Sequence, residues 1–342
     1  MSEIKQGIDN KNLSTFDTSS FTSILSLIKT SKERIIKTVN IEIIDLYWQI
    51  GKEVSEKAKN GGWGKSVVEE LSNQITVNFG NMRGFSPQNI WRMKQFYETY
   101  KDSQILSTLS RELSWSNNLL VMSRAKDEKE QFFYMKLSID EKYSYRELER
   151  QFDAMRYERT AISTNKSKNL QIKQEIKGRF LDSYVLDFLN LPETHHESTL
   201  QKSIIIYMKN FLLEIGKDFT FMAEQFRVQV GKSDFFIDLL FYHRGLSCLV
   251  AFELKTTSFK PEYIGKMNFY LEALDREHKK PNENPSVGII LCANKDDEVV
   301  EYALQRNLSP VLVAEYTAKL PDKKLLQDKL REIAELTDGS DE

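Results

Sequence analysis

Two carboxylates and an ammonium lie close together in the second half of the chain. Asp238 sits in the apolar run Phe235–Tyr242, and Glu253 and Lys255 sit in the run Leu246–Lys255. Both runs read as β-strands. Between them lies His243-Arg244-Gly245-Leu246, and a two-residue loop at Arg244-Gly245 pairs His243 with Leu246. In that register Asp238 faces Ala251. Glu253 is then its diagonal neighbour on the same sheet face, with Cα atoms ~7–8 Å apart. Lys255, two residues further on, points the same way. A four-residue loop gives the same register, whereas a three- or five-residue loop reverses the parity.

Unpaired charges on apolar strands are costly. A hard divalent cation is one remedy: Mg²⁺, with Mn²⁺ as a substitute, takes oxygen ligands, typically one or two carboxylates plus a substrate phosphate. Asp238 and Glu253 are the candidate metal ligands. A cation held there would polarise a phosphorus centre and generate hydroxide. Lys255 would orient the attacking water or stabilise charge developing on the phosphate. A buried Asp–Lys or Glu–Lys ion pair explains the same spacing, and spacing alone does not separate the two.

The elements that must position these residues belong to a two-domain chain, as 342 residues suggest. Residues 1–18 read as a disordered tail and 19–157 as an all-α N-terminal domain. Ile35, Ile36, Val39, Ile43, Ile44, Leu46, Tyr47 and Ile50 recur near helical spacing there. Further helices are expected over Gly64–Phe79, from Ser86 as N-cap to Tyr100, and after Ser144. Residues 158–178, rich in Ser, Thr, Asn and Lys, read as a linker. Residues 179–337 read as an α/β domain. Helices are expected over Ser198–Glu214, Pro261–Leu274, Asp296–Arg306 and Leu320–Leu336. Strands are expected over Phe219–Val230, the two runs above, Ser286–Cys292 and Pro310–Ala314. The net charge is −2, so no basic excess supports nucleic-acid binding, and a local basic patch would have to supply it. The two cysteines, Cys248 and Cys292, lie in apolar runs and read as buried thiols of a reducing compartment. No signal peptide or membrane span is read, so the cytoplasm is the expected location.

Asp238 followed by Val250-Ala251-Phe252-Glu253-Leu254-Lys255 resembles the PD-(D/E)XK nuclease signature. More specific are Ile237-Asp238-Leu239-Leu240-Phe241-Tyr242-His243-Arg244, Phe259-Lys260-Pro261-Glu262-Tyr263 and Met267-Asn268-Phe269-Tyr270-Leu271. Together with Leu46-Tyr47-Trp48-Gln49-Ile50-Gly51, Gly62-Trp63-Gly64, Gly84-Phe85-Ser86 and Leu113-Ser114-Trp115-Ser116, they resemble the bacterial YhcG family. The resemblance covers about residues 25–155 and 180–320. It implies a restriction-endonuclease-like α/β/α sandwich with a mixed central sheet. It also implies a metal-dependent nuclease, most simply a DNA endonuclease, with Asp238 and Glu253 as metal ligands and Lys255 as the catalytic lysine. The superfamily often adds an acid from the first core helix. Glu197 is the candidate, and Gln201 stands one turn on, at a position that an acid would also suit. Ile237 stands where the signature has Pro. A catalytically silent nucleic-acid-binding adaptor and an RNase are the alternatives on the same fold. A homodimer or a larger nuclease complex is compatible with the sequence.

Other candidates each have a plainer explanation. Gln225 is placed to touch a metal-bound water or phosphate, or is an ordinary polar strand residue. His243 is a phosphate contact or an exposed turn histidine. Lys260, Tyr263, Lys266 and Tyr270 begin the helix after Lys255, where 263, 266, 267 and 270 share one face. They form a basic, aromatic surface for substrate backbone, or the tyrosines pack on the sheet. Gln88, Asn89, Arg92 and Lys94 open a helix that suits base edges and phosphates in a helix-turn-helix, or belong to an ordinary helical hairpin.

Overall fold

The computed structural model describes residues 18–59, 64–80, 83–167, 176, 179–216 and 218–321. The tail, Gly62 and Trp63 of the Gly62-Trp63-Gly64 motif, most of the linker stretch beyond Ser167, and nearly all of the helix expected over Leu320–Leu336 lie outside them. The chain divides into two compact units, Met1–Tyr145 and Arg146–Glu342. No helix among the described residues is long and apolar enough to cross a membrane.

The first unit is helical, as read. It holds α1 (Thr18–Lys59), α2 (Lys65–Phe79), α3 (Pro87–Tyr100), α4 (Gln104–Ser110), α5 (Trp115–Arg124) and α6 (Glu128–Glu141). Small oxygen-bearing residues start four of them. The side chains of Ser86, Ser103, Ser114 and Asp127 each accept from a backbone N–H in the first turn of α3, α4, α5 and α6. Val54, Val68 and Ile90 form one apolar centre. Trp115 joins Tyr47 and Phe96 edge to face, with ring centroids 4.8 and 5.2 Å apart.

Gly51 sets how closely α1 and α3 approach: a Cβ there would lie 2.1 Å from the Met93 carbonyl oxygen. Backbone cannot swing aside, so this clash outweighs the ~1 kcal/mol that Ala gains over Gly in a helix. Gly51→Ala should therefore destabilise the helical unit by about 1–2 kcal/mol. Urea unfolding followed by circular dichroism would show its transition at lower denaturant.

The second unit begins with α7 (Tyr145–Asp153) and α8 (Arg156–Ser167). Residues 158–167, read as the start of a linker, are thus helical. The polar composition misled, because Glu158 and Arg159 are buried rather than solvated. Arg159 donates to Glu214 Oε1 at 2.7 Å, to the Ala154 carbonyl at 2.7 Å and to the Ser183 carbonyl at 2.9 Å. Arg150 reaches Glu214 Oε2 at 3.1 Å and Asp187 at 2.8 Å, and Arg156 donates to the Glu214 carbonyl at 2.7 Å.

Next come β1 (Ser183–Val185), α9 (Glu197–Ile206), α10 (Met208–Ile215), β2 (Phe219–Val230), β3 (Ser233–His243) and β4 (Cys248–Ser258). They are followed by α11 (Glu262–Glu277), β5 (Val287–Asn294), α12 (Asp297–Leu304) and β6 (Val311–Thr317). The single helix expected over Ser198–Glu214 is two helices, broken at Tyr207. One six-stranded sheet runs β1-β6-β5-β4-β3-β2. β2, β3 and β4 are antiparallel neighbours, and β4, β5, β6 and β1 pair in parallel. Alternating side chains feed two cores. Leu239, Phe241, Val250 and Phe252 pack with Leu200 and Phe211 on one face. Leu240, Leu249 and Ala251 pack with Met267, Tyr270 and Leu271 on the other. Cys248 and Cys292 are buried free thiols, and burial pushes both pKa values up, to about 11 and about 12.

Candidate active site

The β3–β4 connection has four residues, since His243 pairs with Cys248 and Leu239 with Phe252. A four-residue loop keeps the parity of a two-residue loop but moves the pairing by two. The expected facing of Asp238 with Ala251 is therefore corrected. Ala251 pairs with Leu240 and Phe252 with Leu239, so the same register continued one residue past Leu239 sets Asp238 opposite Glu253. The shift keeps both carboxylates on one face and brings them closer than the diagonal arrangement would.

Asp238 is fixed from three sides. Its Oδ2 accepts from the Leu254 N–H at 2.8 Å, its Oδ1 accepts from Gln225 Nε2 at 3.1 Å, and its carbonyl accepts from Gln201 Nε2 at 2.9 Å. Gln225 also donates to Gln201 Oε1 at 3.0 Å, which closes a small network. Gln225 holds φ at +44°, in the left-handed region that a side-chain-bearing residue adopts only with support. Burial, and after it the Glu253 charge, raise the Asp238 carboxyl above its ordinary pKa, against the lowering effect of the Leu254 N–H.

Glu253 is 1% exposed. Its Oε1 lies 3.0 Å from Lys255 Nζ and 2.5 Å from Lys266 Nζ. Its Oε2 is buried without any hydrogen-bond partner. An orphaned buried carboxylate oxygen is an acceptor awaiting a donor or a cation. Lys255 also donates to Glu197 Oε2 at 3.0 Å and to the Leu254 carbonyl at 2.9 Å, and its ammonium lies 5.5 Å from the Tyr263 ring centre. Burial works against the Lys255 charge, but Glu253 and Glu197 outweigh it and raise the pKa. Lys255 is therefore a cation at neutral pH and cannot accept a proton. Lys266 is shifted up in the same way, with Glu253 outweighing burial.

The structure brings Asp238, Glu253, Lys255, Glu197, Gln225, Lys266 and Tyr263 together. Lys260 is exposed and its ammonium lies 4.0 Å from Glu262. Tyr270 is buried and donates to the Phe236 carbonyl at 2.7 Å, so it packs on the sheet. His243 is corrected on both counts: it is 3% exposed, its Nδ1 accepts from the Leu246 N–H, and it meets Phe219 edge to face at the far end of β3 from Asp238. Two of the four candidates on α3 are engaged inside the helical unit. Asn89 donates to the Gly84 carbonyl and accepts from Trp115 Nε1, and Lys94 pairs with Glu98. Gln88 and Arg92 remain exposed. Sequence reasoning missed Gln201 as the anchor of Asp238 and Lys266 as a partner of Glu253. Gln201 carried a signal, one helical turn beyond Glu197.

No group of three or more His, Cys, Asp or Glu that could hold a metal occurs among the described residues. The donor set here is two carboxylates, Asp238 and Glu253, with Glu197 tied to Lys255. Two carboxylates with one unsatisfied oxygen still fit a Mg²⁺-type ion, which keeps several waters and uses one or two protein carboxylates.

Two family models match the chain: "DUF1016 N-terminal domain" over residues 23–159 and "YhcG PDDEXK nuclease domain" over residues 177–331. A protein of Escherichia coli (strain K12) described as "Putative nuclease YhcG" is 31% identical over 355 residues, which cover 92% of this chain and 94% of that one. The chain belongs to the YhcG family. Its mixed sheet with helices on both faces is the restriction-endonuclease-like sandwich that the resemblance implied. The YhcG-family chain also matches a repair endonuclease from Pyrococcus abyssi at 15% identity over 38% of its length, and EndoMS in apo form at 17% over 39%. Both TM-scores are 0.25, and the YhcG-family chain spans about half the length of those solved structures.

Proposed function

We propose that the chain is a Mg²⁺-dependent nuclease that hydrolyses phosphodiester bonds in DNA, and that it acts in the cytoplasm. The observation that carries this reading is the buried, unpartnered Oε2 of Glu253 beside Asp238 and two ammonium groups. Asp238 and Glu253 would hold the ion, with Mn²⁺ able to replace it. When bound, the ion polarises the phosphate and makes an attacking hydroxide available at neutral pH. Lys255, held as a cation, orients the attacking water and stabilises charge gathering on the phosphate oxygens. Gln225 and Gln201 keep the Asp238 carboxylate aimed. Glu197 fixes Lys255 rather than serving as a further ligand. Lys266, against Glu253, and the exposed Lys260 at the start of the same helix would meet the substrate backbone. Two buried free thiols suit the reducing cytoplasm.

Purified protein should cut matched DNA substrates in Mg²⁺ or Mn²⁺ and not in EDTA, and should cut RNA far more slowly. Equal cutting in EDTA would overturn the metal, and faster RNA cleavage would overturn the substrate. A readout independent of activity follows from Asp238. Its raised pKa means that ionisation destabilises the ion-free fold, so stability falls as pH rises through that pKa. A divalent ion at ~100 times its dissociation constant should then stabilise the protein by about 2.7 kcal/mol. The melting temperature of Asp238→Asn should respond to the ion much less.

A further inference from the structure

The N-terminal half of α1 is exposed among the described residues. From Lys37 onward one side of α1 is anchored: Lys37 meets Glu112 at 3.0 Å, Asn40 donates to the Leu113 carbonyl at 2.9 Å, and Ile44, Tyr47 and Val54 are buried. Between Ile24 and Val39, among the side chains described, all but Ser31 are exposed. An isolated helix of that length is marginal in water, because most helical stability in proteins comes from packing an apolar face.

Such a face is present. Leu25, Ile28, Ile35, Val39 and Leu46 are 65%, 59%, 60%, 51% and 43% exposed, and lie on the side of the helix away from Ile44. With Lys32 and Glu42 they fall at positions 25, 28, 32, 35, 39, 42 and 46. This is the alternating three-and-four spacing of a two-helix seam, sustained over about three heptads.

We infer that this stripe packs antiparallel against α1 of a second copy of the chain, about a two-fold axis near residue 37. The two charges in the seam choose that occupant and that direction. In an antiparallel pair centred on residue 37, Ile28 meets Leu46 of the second copy and Ile35 meets its Val39. Lys32 then meets Glu42 of the second copy, and by symmetry Glu42 meets the partner's Lys32. Each of these layers matches like with like or opposite charge with opposite charge, and Leu25 falls at the end of the seam, opposite Gln49 of the second copy. A parallel pair in register would instead set Lys32 against Lys32 and Glu42 against Glu42, which is unfavourable.

Analytical ultracentrifugation of the full chain tests this. At micromolar concentration wild type should sediment as a dimer. Lys32→Glu and Glu42→Lys, each placing like charges in two layers, should weaken it by about tenfold or more. An equimolar mixture of these two variants should recover the dimer, because every layer again pairs opposite charges. Circular dichroism checks that both variants keep wild-type helix content. A monomeric wild type would overturn the inference, as would a stripe covered by the chain's own residues 322–342 or by another protein. So would single variants that dimerise as tightly as wild type, or a mixture that stays monomeric.

Discussion

Lys255→Met should lower DNA cleavage by about 10²–10³-fold, the scale of removing one preorganised donor from a reacting oxyanion. Lys266→Met should lower it by no more than about tenfold, as expected for a backbone-contacting cation. Both ammonium groups touch Glu253 Oε1, so proximity to that carboxylate does not distinguish them. Their settings do. The Lys255 side chain is 12% exposed and is held by Glu197, the Leu254 carbonyl and the Tyr263 ring, whereas the Lys266 side chain is 47% exposed. A shielded cation can stabilise a transition state, while a half-exposed one mainly contributes to binding. Single-turnover rates and substrate affinities separate the two: Lys255→Met should act on the rate and Lys266→Met on affinity. Equal losses would refute this division of roles. Glu253→Gln, which leaves both lysines beside a neutral amide, should abolish cleavage.

Much of this site was legible in the sequence, because strands buried on both faces write themselves as apolar runs. A charge inside such a run, as at Asp238 or Glu253, stands out. The face shared by the three residues could be read because side-chain alternation depends only on parity. The facing partner could not, because the length of the His243–Cys248 connection is set by turn geometry: Ser247 adopts φ +48° and the Leu246 N–H is held by His243. β1 was missed because three residues, Ser183–Val185, are too few to show a period, and it exists only by pairing with β6. The break at Tyr207 has neither Gly nor Pro to announce it. Residues 158–167 look like a solvated linker in composition, yet Arg159 is buried against a carboxylate more than fifty residues away.

Glu214→Ala should destabilise the nuclease unit by about 3–5 kcal/mol, the usual result of stranding a buried charge. Glu214 is fully buried, and it accepts from Arg159, from Arg150 and from the Val185 N–H at 2.9 Å. Removing the carboxylate leaves the Arg159 guanidinium, whose side chain is 2% exposed, without its counter-charge. In a unit of this size the melting temperature should fall by roughly 10 °C or more. Burial pushes the Glu214 carboxyl up, but Arg159, Arg156 and Arg150 outweigh it, so its pKa lies below the ordinary value. The stabilisation is therefore complete above the unfolded carboxylate pKa and is lost as pH falls through the folded one. Wild type should lose stability in acid across that window, and Glu214→Ala should lose less there. Parallel stability curves for the two proteins below pH 5 would sink the account.

The family model for the N-terminal domain ends at residue 159, inside α8, while Arg150, Arg156 and Arg159 all belong to the compact unit that carries the nuclease sheet. The boundary of sequence kinship and the boundary of folding thus fall on opposite sides of these arginines. Recombination that joined a foreign N-terminal domain at residue 160 would strip Glu214 of all three partners. Exchange at residue 145 would keep them, so lineages that trade the helical domain and retain a folded nuclease should place their crossovers there.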